Sequence, residues 1–210
     1  PVELLRDADT AMYRAKSLGP ARHAVFDEAM HSKAMTLLRL QTDLRHAVER
    51  EEFEPYYQPI VSLETGLING FEALVRWNHP TRGFVSPAQF VPMAEETGLI
   101  VQLDQMVLRA ACAEAVAWSK LAPAGVAPPA ISVNLSVQQF WQADLVARVE
   151  QVLRETGLDP RLLKLEITEG AIMRNAESAI VMLRQLQNLG ISLSIDDFGT
   201  GYSSLAYFAK

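Results

Sequence analysis

From Phe53 onward the chain alternates short apolar strands with helical stretches, and successive strands carry an acid or an amide inside an otherwise apolar run. Tyr56 to Leu63 and Leu67 to Trp77 read as two strands joined by Glu64-Thr65-Gly66, a connection short enough only for an antiparallel hairpin. Ser86-Pro87 opens a helix with proline at its first position. On the helix after it, Leu99, Leu103, Met106, Val107, Ala110 and Ala117 share one face. Beyond a Pro/Ala/Gly loop at 123–129, strands at 130–135, 162–168 and 191–195 alternate with helices at 137–155 and 171–189. Gly157 and Gly190 stop those two helices. Such alternation implies an α/β fold with parallel strands and helices packed outside them.

The residues before Phe53 do not share this pattern. Residues 1 to about 20 read as a helix, with Leu4, Leu5, Ala8, Ala11, Met12 and Ala15 on one stripe, ending at Gly19-Pro20. His23 to Phe26 reads as a short strand. Residues 28–50 form a second helical stretch in which Met30, Leu37 and Leu44 alternate with Leu40 and Ala47. That seam is too short for a coiled coil and reads as a linker helix, with pairing of two copies as the sharper alternative.

Composition excludes several classes. A net charge of −6 leaves no broad basic face for a nucleic-acid polymer. An anionic substrate then needs metal ions to supply positive charge. Cys112 is the single cysteine, so no internal disulfide forms, and a cytoplasmic, reducing setting is expected. No run reaches transmembrane length and no signal peptide is visible. The chain begins with Pro1, so it is expected to be a piece of a longer polypeptide.

The polar residues in the strands carry the chemistry. Glu72 lies in Phe71-Glu72-Ala73-Leu74-Val75-Arg76-Trp77, Asn134 in Ile131-Ser132-Val133-Asn134-Leu135-Ser136, Glu166 in Leu163-Lys164-Leu165-Glu166-Ile167-Thr168-Glu169, and Asp196-Asp197 end the last strand. In a (β/α) barrel, residues distant in sequence converge at the carboxyl ends of the strands. Oxygen donors from four strands suit a hard divalent cation such as Mg²⁺ or Mn²⁺. Five donors are enough for a pair of cations acting on a phosphodiester. Each residue also has an ordinary explanation: Glu72 pairing with Arg76, Asn134 bonding backbone, Glu169 favouring a helix dipole, or Asp196-Asp197 forming a turn. Their coincidence on successive strands favours a site, because each buried polar group is costly.

Glu72-Ala73-Leu74-Val75-Arg76-Trp77 resembles the signature of EAL domains. Tyr57-Gln58-Pro59-Ile60, His79-Pro80, Gly83, Phe90-Val91-Pro92-Met93-Ala94-Glu95, Val133-Asn134-Leu135-Ser136, Glu166-Ile167-Thr168-Glu169 and Asp196-Asp197-Phe198-Gly199-Thr200-Gly201-Tyr202-Ser203-Ser204 follow the same pattern in order. Upstream, the segment from Ala8 to Gly19 resembles the last helix of a GGDEF (diguanylate cyclase) domain. The resemblance implies residues 1–27 as a GGDEF remnant, 28–50 as a linker helix and 51–210 as the N-terminal part of an EAL domain. It implies a partial (β/α)8 TIM-type barrel, with about five of the eight strands and an antiparallel first strand.

The function implied is metal-dependent hydrolysis of cyclic di-GMP to linear pGpG, with Mg²⁺ or Mn²⁺, two per complete site. Carried over by position, Glu72, Asn134, Glu166 and Asp196 resemble ligands of the first metal, and Asp197 the residue serving the second. Glu72, Asp196 and Asp197 are the expected catalytic acids. Arg76, Leu74 and Gln58 resemble substrate contacts. Glu169, with Thr200 and Gly201, resembles the set that shapes the loop after Asp197, through which the family couples its site to dimerisation; a homodimer through that loop and the linker helix is expected. The family pattern continues with a Lys-x-Asp strand and later acids that do not occur by Lys210. The 210-residue piece alone is accordingly expected to be inactive. The alternative is a non-catalytic cyclic di-GMP receptor.

Overall fold

The computed structural model of the chain describes residues 25–123 and 125–196, together with Ala8, Ala11, Met12, Ala15 and His23. Two compact units divide between Glu49 and Arg50. In the first, helix α1 spans Glu28–Glu49, and Leu40, Leu44 and Ala47 are buried at three- and four-residue steps. The strand expected at 23–26 is not formed: His23, Val25 and Phe26 have no regular structure.

The second unit is built on one sheet. Its strands are β1 (Phe53–Val61), β2 (Ile68–His79), β3 (Gly83–Val85), β4 (Ala130–Leu135), β5 (Leu163–Thr168) and β6 (Ser192–Asp196). Hydrogen-bonded order is β1-β2-β4-β5-β6, with β3 paired to β2. β1 runs antiparallel to β2, whereas β2-β4, β4-β5 and β5-β6 are parallel. The sheet is mostly parallel and open among the described residues. The short β3 goes beyond the expected set. His79 explains it: Nδ1 accepts the N–H groups of Thr81 and Arg82 at 3.2 and 3.3 Å, folding the chain back onto β2.

The hairpin strands begin and end later or earlier than their apolar runs suggest. Ser62 accepts the Gly66 N–H at 2.8 Å and donates its own N–H to Leu67 at 2.9 Å, which places Leu63 in the turn, fully exposed. Gly66, at φ 69°, supplies the left-handed conformation this turn needs. At Gly70 the constraint is space, since an added Cβ would lie 2.9 Å from the Ala130 carbonyl oxygen on β4.

Helices α2 (Pro87–Thr97), α3 (Ile100–Leu121), α4 (Val137–Phe140), α5 (Leu145–Thr156), α6 (Glu169–Met173) and α7 (Ala176–Asn188) fill the connections, with a 3₁₀ turn at Pro160–Leu162. The helices expected at 137–155 and 171–189 are each broken in two. Trp141 ends the first, because its indole N–H donates to the Ala171 carbonyl at 3.1 Å. Asn175 restarts the second by accepting the Ser178 N–H at 3.2 Å as a cap.

The core lies between the helices and one face of the sheet. Ile131, Val133, Leu163, Leu165 and Ile167 from the strands meet Leu108, Ala111, Cys112 and Ala115 from α3. Val149 and Leu153 from α5, with Ala179 and Leu186 from α7, complete that layer. Each fully buried Leu or Ile contributes roughly 1.5–3 kcal/mol. Because strand side chains alternate, seating these residues outward sends their neighbours to the opposite face.

Candidate metal and phosphodiester site

That opposite face collects the polar residues. On β2 it carries Glu72, Leu74 and Arg76; on β4, Ser132 and Asn134; on β5, Lys164 and Glu166; on β6, Ser194 and Asp196. Register sets their lateral order, with Gln58 opposite Glu72, Glu72 opposite Ser132, Asn134 opposite Glu166, and Glu166 opposite Ser194. Asn134 precedes the last residue of β4, and Asp196 closes β6. Asn134 and Asp196 therefore lie at the carboxyl ends of parallel strands, and Glu166 lies two residues short of the end of β5.

Glu72 and Asn134 touch directly: the Asn134 side-chain amide donates from Nδ2 to Glu72 Oε1 at 2.7 Å. This leaves the amide oxygen of Asn134 and the second carboxylate oxygen of Glu72 as outward acceptors. Burial raises the Glu166 carboxyl above the ordinary glutamate range. The charges of Glu72 and Asp196 push it the same way, while a hydrogen bond from Ser132 and the charge of Lys164 oppose them. Glu166 therefore feels both other acids, and a cation placed among the three relieves that repulsion.

Among the described residues no group of three or more His, Cys, Asp and Glu forms a ready-made cation cage. The donor set here is three acids and one amide. Its chemistry still fits a hard divalent cation: every donor is oxygen, and no soft ligand competes.

Arg76 does not pair with Glu72. Its guanidinium carbon sits 5.6 Å above the Tyr56 ring, and Nη1 donates to the Val75 carbonyl at 2.9 Å. Leu74 is half-buried and registers with Tyr56, while Gln58 is exposed beside Glu72. Glu169 is buried in the first turn of α6. Asp197, Thr200 and Gly201 lie outside the described residues. Ser132 joins the set without an obvious signal of its own: it is 1% exposed and bonds Glu166. Only its two-residue spacing from Asn134 marks it as sharing the same face.

A mostly parallel sheet, helices on one side and oxygen donors at the carboxyl strand ends define an α/β protein of the (β/α) barrel kind with an acidic site. Residues 41–210 match the EAL domain family, and the chain belongs to that family. It is 45% identical over 208 residues to a bifunctional diguanylate cyclase/cyclic di-GMP phosphodiesterase, MucR of Pseudomonas aeruginosa, covering 99% of this chain and 30% of that protein. It is 41% identical over 208 residues to the cyclic di-GMP phosphodiesterase NbdA of the same species, covering 99% of this chain and 26% of that one. The chain thus spans less than a third of the length of either relative. A solved structure of the PaMucR phosphodiesterase with c-di-GMP superimposes with a TM-score of 0.75 at 47% identity. That match covers 82% of this chain and 68% of the other. Among the described residues no helix is long and apolar enough to cross a membrane.

Proposed function

We propose that the complete barrel containing these strands hydrolyses cyclic di-GMP to linear pGpG with Mg²⁺ or Mn²⁺, two per complete site. The observation that carries this reading is the convergence of Glu72, Asn134, Glu166 and Asp196 on one sheet face, with Glu72 and Asn134 in contact. The phosphodiesterase names of MucR and NbdA and the c-di-GMP complex of PaMucR support the substrate class.

Glu72, Asn134, Glu166 and Asp196 hold the first cation through oxygen, and Asp197 serves the second. What the cations supply when bound is neutralisation of phosphodiester charge and a more acidic attacking water. Asn134, with its N–H committed to Glu72, presents its oxygen to the site. Ser132 bonds Glu166 and opposes the rise that burial gives its carboxyl. Arg76, steadied over Tyr56, offers a fixed positive charge to a phosphate oxygen. Leu74 and Gln58 line the same surface as substrate contacts.

Glu169, Thr200 and Gly201 shape the loop after Asp197, and a homodimer forms through that loop and α1. Residues 1–27 are the end of a GGDEF domain, a reading supported by the near-complete alignment with bifunctional MucR. The setting is cytoplasmic. The 210-residue chain alone does not turn substrate over. A barrel-complete protein should release pGpG only with Mg²⁺ or Mn²⁺, and Glu72→Ala should abolish the release. Turnover in that variant, or in chelator, would remove the assignment.

A further inference from the structure

Helix α3 carries a carboxylate that the proposed chemistry leaves unused. Asp104 is half-buried one turn into that helix. Its Oδ2 accepts the Ser136 backbone N–H at 3.0 Å, and the Ser136 hydroxyl also bonds it. The Ser136 hydroxyl oxygen in turn accepts the Gln139 N–H at 3.1 Å, capping α4. Burial pushes the Asp104 carboxyl up to about 6; the Ser136 bonds pull it down, and the charge of Glu95 raises it further. Keeping an acid at such a cost calls for a constraint that an apolar side chain could not supply.

The location indicates that constraint. The β4-β5 ladder ends with Leu135 opposite Ile167, so Ser136 is the first residue of β4's exit without a strand partner. It lies two residues beyond Asn134. From the sheet side, Asn134 is held by Glu72 at 2.7 Å. From the helix side, Asp104 holds Ser136. The strand end is thus gripped on both faces.

We propose that Asp104 is a positioning residue for the site: by clamping Ser136 it fixes the exit of β4 so that Asn134 meets Glu72 and presents its oxygen to the cation. The inference rests on the metal-site reading above. Asp104 touches neither substrate nor cation; it acts through the backbone.

The test compares Asp104→Ala with Asp104→Asn in a barrel-complete protein. Asparagine keeps an oxygen acceptor for the Ser136 N–H, and alanine removes it. In metal-free protein, hydrogen exchange should show the Ser136 amide deprotected in Asp104→Ala and protected in Asp104→Asn. Titrated with Mn²⁺ alone, Asp104→Ala should bind roughly tenfold more weakly or worse, while Asp104→Asn stays within about threefold of wild type. The KM for cyclic di-GMP at saturating Mn²⁺ should change less than the Mn²⁺ affinity. If Asp104→Ala does not fold, Ser136→Pro removes the donor instead, with Ser136→Ala, which keeps the N–H but also loses the hydroxyl cap on α4, as its control. Ser136 sits at φ −63°, which suits proline, so the donor is lost without backbone strain. Equal Mn²⁺ binding in Asp104→Ala, or equal weakening in Asp104→Asn, overturns the clamp alone. A wild-type protein that neither binds Mn²⁺ nor releases pGpG overturns the functional reading and the clamp together.

Discussion

Along β4 and β5, the side chains turned toward the helices are Ile131, Val133, Leu135, Leu163, Leu165 and Ile167, none more than 4% exposed. Their neighbours turned the other way are Ser132, Asn134, Lys164 and Glu166. The same backbone therefore carries two surfaces of opposite character, one residue out of phase. The first is held by apolar burial and is indifferent to charge. The second is held by a few polar contacts and stores repulsion between Glu72, Glu166 and Asp196. Stability resides mainly on one face and chemistry on the other, so adjacent substitutions should have effects of different kinds.

Glu166→Ala in a barrel-complete protein should lower turnover on the order of a thousandfold, comparable to losing a preorganised electrostatic group, while the metal-free unfolding midpoint holds or rises. Its neighbour Leu165→Ala should do the reverse. Urea denaturation should show a loss of about 2–5 kcal/mol from the emptied core site, and the folded fraction should keep its kcat. If both variants lose activity and stability in parallel, the two faces are not separable.

Glu166→Gln sharpens the contrast through pH. The folded-state pKa of Glu166 is raised, so the folded chain holds its proton more tightly than the unfolded one. Its contribution to stability is full below the ordinary glutamate range and is lost as pH rises through the raised value. Metal-free wild type should therefore fall behind Glu166→Gln as pH rises toward neutrality, and added Mn²⁺ should close that gap. A gap independent of pH contradicts the repulsion. The smallest effect is expected at the surface, where Arg161 pairs with Asp159 at 2.6 Å. Arg161→Ala should leave the urea midpoint unchanged within error, since exposed ion pairs contribute little.

Much of this contrast is legible in the residues themselves. Period-two alternation in 130–135 and 163–168 announces strands with two unlike faces, and Glu72, Asn134, Glu166 and Asp196 stand out because apolar runs rarely admit such groups. The breaks within 137–155 and 171–189 do not show, because the apolar period continues through them. What interrupts the first is a bond from Trp141 to Ala171, which lies thirty residues further along. Likewise β3 follows from the His79 ring closing a turn, which no propensity encodes.

The sequence by itself determined the alternation of strands and helices, the antiparallel start and the family signature, because these depend on spacing between near neighbours. Only the tertiary structure decided that Asn134 donates to Glu72, that Arg76 stacks on Tyr56 rather than pairing with Glu72, and that Asp104 reaches the end of β4. Those contacts join residues on different elements. Their existence depends on strand register and helix placement, which the packing of the whole apolar face fixes at once.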